Sequence, residues 1–241
     1  MSTDSIYSTP LDKLVDFNFD EKVASVFPDM INRSVPGYAS IVSMTGVLAA
    51  EFHQPGSYCY DLGCSLGASS LSMAKAINNN EFYIRAIDNS QAMLSQAKEF
   101  ICLESCQNRI ELVCDDICNV SIENASVVVM NFTLQFIEPA RRFDLLQNIY
   151  QGMRSDGILI LSEKLAFNNA AQQQLLIDMY HYFKKANGYS ELEINQKRQA
   201  LEKVLIPETL EQHQQRLQRI GFRQVEQWFQ CFNFSSLIAI K

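Results

Sequence analysis

"YDLGCSLGASS", residues 60–70, decides how this chain is read. Gly63, Ser65 and Gly67 form Gly-x-Ser-x-Gly, the sharp strand-to-helix turn that presents a nucleophilic serine. Asp61, Gly63 and Gly67 equally form Asp-x-Gly-x-x-x-Gly, a loop whose glycines let backbone approach a nucleotide with no Cβ in the way. The serine reading requires an acid and a histidine downstream, and oxyanion donors from an earlier strand's loop. Only His53, His181 and His213 exist; His53 precedes the serine, and the other two fall in charged helical stretches where a solvated side chain is the default. No strand before Ser57 offers an oxyanion loop. The nucleotide reading requires an acid closing the next strand, about twenty residues on, to accept ribose hydroxyls. "RAIDNS" supplies Asp88 at that place.

Outward from this loop, short apolar runs alternate with amphipathic stretches, the pattern of a parallel sheet covered by helices on both faces. "SYCYDLGC" (57–64) predicts strand one, 66–78 a helix, "FYIRAID" (82–88) strand two, "SQAMLSQAKEFICLES" (90–105) a helix and "RIELVCDD" (109–116) strand three. Asp115 and Asp116, closing that strand, are placed to bond an exocyclic amine of an adenine. "ASVVVMNFT" (125–133) is apolar enough for a central strand buried on both faces. A helix from Pro139 to Met153 and a fifth strand, "GILILSEKL" (157–165), follow, with Gly157 at the strand-entry turn. A helix over 208–220 stops at Gly221, and "FRQVEQWFQCFNFSSLIAIK" then offers two strand-like runs with no helix between them, an antiparallel pair. The prediction is a single α/β domain over 1–241 with a doubly wound, seven-stranded sheet. Two additions can cover its ligand site as a helical lid: an N-terminal cover (1–56, with helices near 20–27 and 37–53) and a charged helical insertion (168–205).

With 241 residues, 47% of them hydrophobic, the chain can close one sizeable core. A net charge of -7 disfavours direct binding of nucleic acid, yet a few local arginines still admit a small anion. "MSTDSIYSTP" lacks a basic segment followed by an apolar run, and no stretch reaches eighteen consecutive apolar residues, so a cytoplasmic protein without a signal peptide or membrane span is expected. An odd count of seven cysteines predicts reduced thiols. Cys102 and Cys106, like Cys114 and Cys118, are separated by three residues; the first pair shares a helical face, and buried thiols rather than a metal site are expected. Trp228, Phe229, Phe232 and Phe234 read as core or dimer surface. Arg85, inside an otherwise apolar strand, has no explanation in the sequence.

The nicotinamide fingerprint Gly-x-Gly-x-x-Gly is not met, since the positions read Gly63-Cys64-Ser65. Asp-x-Gly-x-x-x-Gly, acids closing strands two and three, and the terminal antiparallel pair resemble the S-adenosylmethionine-dependent methyltransferase fold, a Rossmann-like sheet, over residues 57–241. Further stretches narrow the match: "FDEKVASVFPDMINRSVPGY" (19–38), "DLGCSLGASSLS" (61–72), "IDNSQAML" (87–94), "NFTLQF" (131–136), "KKANGYSELEINQKR" (184–198) and "QWFQCFNF" (227–234). Together they resemble the carboxy-S-adenosyl-L-methionine synthase family along nearly the whole chain.

That resemblance implies an enzyme that takes S-adenosyl-L-methionine and prephenate to carboxy-S-adenosyl-L-methionine and phenylpyruvate. Its product would pass to a tRNA carboxymethyltransferase acting on the wobble uridine, and the enzyme would be a homodimer. The resemblance also implies residue roles. Tyr38 contacts the cofactor, Gly63, Cys64 and Ser65 form its loop, and Asp88 and Asn89 take the ribose. Asp116 and Ile117 bracket adenine, Asn131 lies near the methionyl part, and Arg198 grips the added carboxylate through a planar, two-pronged guanidinium. Arg33, Lys164, Lys184 and Lys185 are candidates to receive the carboxylates of prephenate. The alternative is a conventional methyltransferase, which has no use for Arg198.

Overall fold

The computed structural model describes residues 3–11, 15–78 and 81–241. The described residues form one sheet of seven strands: β1 (Ser57–Leu62), β2 (Phe82–Asp88), β3 (Ile110–Cys114), β4 (Ala125–Asn131), β5 (Met153–Lys164), β6 (Gln224–Cys231) and β7 (Phe234–Ile240). Their spatial order is β3-β2-β1-β4-β5-β7-β6. The first five run parallel, and β7 lies antiparallel to both its neighbours. This is the expected methyltransferase-type Rossmann-like sheet with its C-terminal antiparallel pair.

Neighbouring side chains in the central strands point to opposite faces, and both faces are covered, which is why these strands read as continuous apolar runs. Val127, Val129, Ile158 and Ile160 pack beneath α2 (Tyr38–Phe52) and α3 (Ala68–Ala76), meeting Ala49, Met73 and Ala74. Val128, Met130, Leu159 and Leu161 face α5 (Pro139–Gly152) and α8 (Leu210–Ile220), meeting Leu146, Ile149 and Leu217. Each such side chain, fully buried, contributes about 1.5–3 kcal/mol. Strand order reverses direction between β1 and β4, and such a switch point opens a crevice at the C-terminal ends of the strands.

Several expected boundaries move. The first helix does not end near residue 27: α1 (Glu21–Ser34) runs through Pro28. A proline inside a helix costs about 3 kcal/mol, and burial of Val23, Ala24, Val26 and Met30 along one face offsets it. β5 starts at Met153, and Gly157 lies within it rather than at its entry. A Cβ at Gly157 would stand 3.0 Å from the carbonyl oxygens of both Ser126 and Arg154, so close backbone approach, not a turn, requires glycine there. α4 (Gln91–Cys102) stops before Cys106, so Cys102 and Cys106 do not share a helical face.

The two additions meet over the C-terminal edge of the sheet. The insertion folds as α6 (Ala170–Ala186), capped by Asn169, and α7 (Glu191–Leu201), started by a Ser190–Glu193 capping box. The N-terminal segment is strapped to α7: Gln196 Nε2 donates to the Tyr7 and Thr9 carbonyls at 3.0 and 2.9 Å, and Phe17 N–H donates to the Ala200 carbonyl at 2.9 Å. Among the described residues no helix is long and apolar enough to cross a membrane.

Candidate active site

The strand ends and the two covers enclose a cavity of about 1310 Å³. Its central feature is the loop after β1, where Gly63, Ser65 and Gly67 take φ of 76°, 50° and 79°. Alternating left-handed residues bend the loop back so that Gly63 and Cys64 both donate to the Ile87 carbonyl, at 2.8 and 3.0 Å. A Cβ on Gly63 would stand 2.3 Å from Thr133 Oγ1, so no other residue fits unchanged. The next strand's acid completes the loop: Asp88 accepts from Ser65 N–H at 2.8 Å and from Ser90 N–H at 2.9 Å.

Ser65 has the backbone of a nucleophile elbow but none of its chemistry. Its hydroxyl donates to Met93 Sδ at 3.7 Å. His53 stacks edge-on against Phe82 at the far end of α2. The other two histidines are not solvated as expected. His213 is buried in α8, where burial pushes its pKa down to about 4. His181 is half-buried and borders the cavity, because α6 packs across the sheet edge.

All ten residues singled out in the sequence line this cavity: Tyr38, Gly63, Cys64, Ser65, Asp88, Asn89, Asp116, Ile117, Asn131 and Arg198. Tyr38 opens α2 and packs beside Phe132, Trp228 and Phe229; burial and the nearby Asp61 carboxylate push its hydroxyl pKa up. Asp61 is buried, accepts from Ser70 Oγ at 2.6 Å, and is pushed up to about 6 by burial. Burial also raises Asp88, against the pull of its two backbone donors. Asn131 is held on both sides, donating to Ser69 Oγ at 2.9 Å and accepting from Ser162 Oγ at 2.6 Å.

The acids expected at the end of β3 part company. Asp116 faces the cavity and is held below the usual carboxylate range by Cys118 N–H, at 2.9 Å, and by Arg141. Asp115 is exposed, accepts from the Asp116 N–H at 2.7 Å, and does not line the cavity, because the strand ends at Cys114 and the chain turns between them.

Cations occupy the other side. Arg198 stands on α7 with no carboxylate paired to it among the described residues. Lys164, Lys184 and Lys197 also line the cavity. Lys197 donates to Ser34 Oγ at 3.0 Å and lies 3.8 Å from Asp4; burial lowers it to about 8, against the pull of that carboxylate. Two expected anion-binding residues turn elsewhere. Arg33 lies over the Tyr189 ring, pairs with Asp29 at 3.0 Å and donates to the Asn187 carbonyl at 2.7 Å. Lys185 pairs with Glu191 at 2.5 Å on the outer face of α6.

Sequence reasoning missed Lys197, His181, Thr133 and Glu163. Only Glu163 carried a signal, as an acid inside an apolar strand. It is fully buried, accepts from Leu134 and Gln135 N–H at 2.8 and 2.9 Å, and is pushed up to about 8 by burial. It thereby fixes the turn Leu134–Phe136 under the cavity.

The methyltransferase-domain family profile matches residues 60–157. The carboxy-S-adenosyl-L-methionine synthase of Trichlorobacter lovleyi is 58% identical over 240 residues, 99% of this chain and 98% of that one. The enzyme of the same name from Actinobacillus pleuropneumoniae is 53% identical over 100% of both chains. The chain belongs to the carboxy-S-adenosyl-L-methionine synthase family. Human N-acetylserotonin methyltransferase, solved in complex with SAM, shares the fold with a TM-score of 0.61 at 16% identity, over 92% of this chain and 55% of that one.

In this synthase-family chain the other features singled out in the sequence have structural explanations. Arg85 donates to Glu111 at 2.9 Å on the open face of β2, 6.0 Å from the Tyr58 ring. The seven cysteines are all free, but the thiols expected to be buried are not: Cys102 and Cys114 are exposed and Cys106 and Cys118 half-buried, because they lie at the end of α4, beyond it, and around the end of β3 at the sheet edge. Phe234 is buried, and Trp228 and Phe229 pack on it from β6 behind Tyr38.

Proposed function

We propose that the chain converts S-adenosyl-L-methionine and prephenate to carboxy-S-adenosyl-L-methionine and phenylpyruvate. The product supplies the carboxymethyl donor for tRNA wobble-uridine modification by a second enzyme. The chain acts as a single S-adenosylmethionine-binding domain, 1–241, in a cytoplasmic homodimer. The carrying observation is Arg198: an uncompensated guanidinium in the same cavity as Asp61, Asp88 and Asn131. The methionyl carboxylate is common to S-adenosylmethionine and its carboxylated form; at the sulfur, a methyl group offers a guanidinium nothing to bind, whereas a carboxymethyl group offers it a carboxylate.

In this reading Asp88 and Asn89 hold the ribose, Asp116 and Ile117 flank adenine, and Gly63, Cys64 and Ser65 let backbone approach the nucleoside. Tyr38 and Asn131 position the methionyl end, and Arg198 receives the new carboxylate. The balance needs no protein base. Prephenate dianion aromatises to phenylpyruvate, releasing carbon dioxide and hydroxide; hydroxide takes a proton from the sulfonium methyl group to give water, and the resulting carbanion bonds the carbon of carbon dioxide. The protein's contribution is position, charge and exclusion of water.

Denaturing the freshly purified protein and weighing the released small molecule tests the reading. Carboxy-S-adenosyl-L-methionine is expected, together with prephenate-dependent phenylpyruvate release. S-adenosylmethionine or its demethylated product alone, with no turnover of prephenate, returns the chain to conventional methyl transfer. Arg198→Ala is expected to weaken the carboxylated ligand about 10- to 100-fold relative to S-adenosylmethionine, the worth of one charge-assisted pair.

A further inference from the structure

Charge changes sign along the sheet edge. Asp116 follows β3, Asp88 closes β2, Asp61 lies in β1, the neutral Asn131 closes β4 and Lys164 closes β5. Strands lie about 4.8 Å apart, so Asp88 and Lys164 are separated by three spacings, about 14 Å. The cavity of about 1310 Å³ also exceeds the roughly 300–1,000 Å³ that holds one drug-sized ligand. It has an acidic half and a basic half, with room for a ligand in each.

The basic half contains two ammonium groups without a counter-ion. Lys164 and Lys184 flank one aromatic ring, their Nζ atoms 5.1 and 4.4 Å from the centroid of Tyr180. Neither Nζ has a hydrogen-bond or carboxylate partner among the described residues, and Lys184 is only 5% exposed. Lysine is almost never buried without a partner, because the desolvated charge weighs against the folded state. Lys197 and Arg198 stand nearby and add to the positive field, as burial and these neighbours together drive the Lys184 pKa well down. His181 feels the same cations and is likewise lowered, by burial first, with Asp178 as its one opposing acid. The remaining acids of the lining, Glu138 and Glu202, are exposed and pair with neither lysine. A bound anion would offset the desolvation and repulsion that disfavour both ammonium forms.

We propose that Lys164 and Lys184 are the receptor for the 2-oxo-carboxylate arm of the co-substrate, whose ring carbons rest against Tyr180. This rests on the reaction read above and names where prephenate binds. The chemistry selects which of its two carboxylates is held. The ring carboxylate leaves as carbon dioxide, and an ammonium pair clamped on it would oppose that loss. The pyruvyl carboxylate survives into phenylpyruvate, so holding it stabilises substrate and product alike and leaves the ring carboxylate free to depart toward the sulfonium methyl group. Arg198 is then left for the carboxylate that forms.

Phenylpyruvate, which cannot react, is the probe. In calorimetric titration of the protein loaded with S-adenosylmethionine, Lys164→Met and Lys184→Met should each raise its Kd about 10- to 100-fold. The KM for prephenate should rise in parallel, and the Kd for S-adenosylmethionine should stay within about twofold. Both variants should melt higher than the parent, because each deletes an unpaired buried charge. Unchanged phenylpyruvate affinity and unchanged KM in both variants would overturn the receptor. Acetic anhydride footprinting of the unmodified protein reads the same contact without substitution: phenylpyruvate should shield Lys164 and Lys184 but not the outward Lys185, and equal labelling with and without it counts against the proposal. Prephenate turnover with variants of unaltered KM sinks the receptor and leaves the reaction. Shielding of the lysine pair without turnover sinks the reaction and leaves the receptor.

Discussion

Gly63→Ala tests the geometry on which the site depends. At φ of 76° an L-residue pays a left-handed penalty of about 1–2 kcal/mol. The added methyl would stand 2.3 Å from Thr133 Oγ1 and 2.4 Å from its Cγ2, an overpacking of about 1–3 kcal/mol. Together the loss is about 2–5 kcal/mol, a fall in Tm of roughly 4–20 °C for a chain of this size. The two parts separate in a double-mutant cycle. Thr133→Ala removes the two nearest clashing atoms and leaves only its Cβ, at 2.9 Å, so urea unfolding of the double variant should recover at least about 1 kcal/mol while the backbone penalty persists. The Kd for S-adenosylmethionine should weaken in Gly63→Ala and recover in the pair. Additivity of the two substitutions within about 0.5 kcal/mol would refute the reasoning, because it would mean that Gly63 and Thr133 do not close on each other.

Arg142→Ala should destabilise by about 3–5 kcal/mol in urea unfolding, since Arg142 is fully buried, pairs with Glu208 at 2.5 Å and donates to the Ile137 and Ile206 carbonyls, each at 2.8 Å. Lys164 is lowered by burial from 10.5 to about 8. The folded chain thus binds fewer protons than the unfolded one between those values, and stability gains from Lys164 as pH rises through that window. Lys164→Met should exceed the parent by about 3 kcal/mol below pH 8 and lose that advantage near pH 10.5; an advantage independent of pH over that range would contradict the burial of its ammonium. Asp88→Asn should raise the Kd for S-adenosylmethionine about 10- to 100-fold in calorimetry, as the amide turns a donor toward one of the hydrogens that Asp88 accepts from Ser65 and Ser90; an unchanged Kd would remove Asp88 from the site.

Much of the fold was legible because its signals are local. Apolar runs such as 125–133 and 157–165 read as strands since a doubly covered sheet needs apolar side chains on both faces. Gly221 ends α8 with φ of 124°, a conformation glycine enters freely. Helix ends were less legible. The helix expected near 20–27 continues through Pro28 to Ser34, because the energy that carries α1 past the proline comes from the packing of Val26 and Met30, which local sequence does not express.

The same division holds in the site. The sequence by itself pointed to the loop at 63–67 and the acid at Asp88 through their spacing, whereas Tyr38, Asn131 and Arg198 came from the family resemblance; all of them line the cavity. It could not separate Lys184 from Lys185, adjacent on one helix. A helix advances about 100° per residue, so neighbours face different ways, and only the docking of α6 across the sheet edge sent Lys184 into the cavity and left Lys185 in solvent with Glu191. Arg33 was likewise drawn away by Tyr189 and Asp29, partners far apart in sequence from each other. Tertiary structure alone decided where charge is left unpaired, because pairing depends on distances between segments brought together only by the closing of the core.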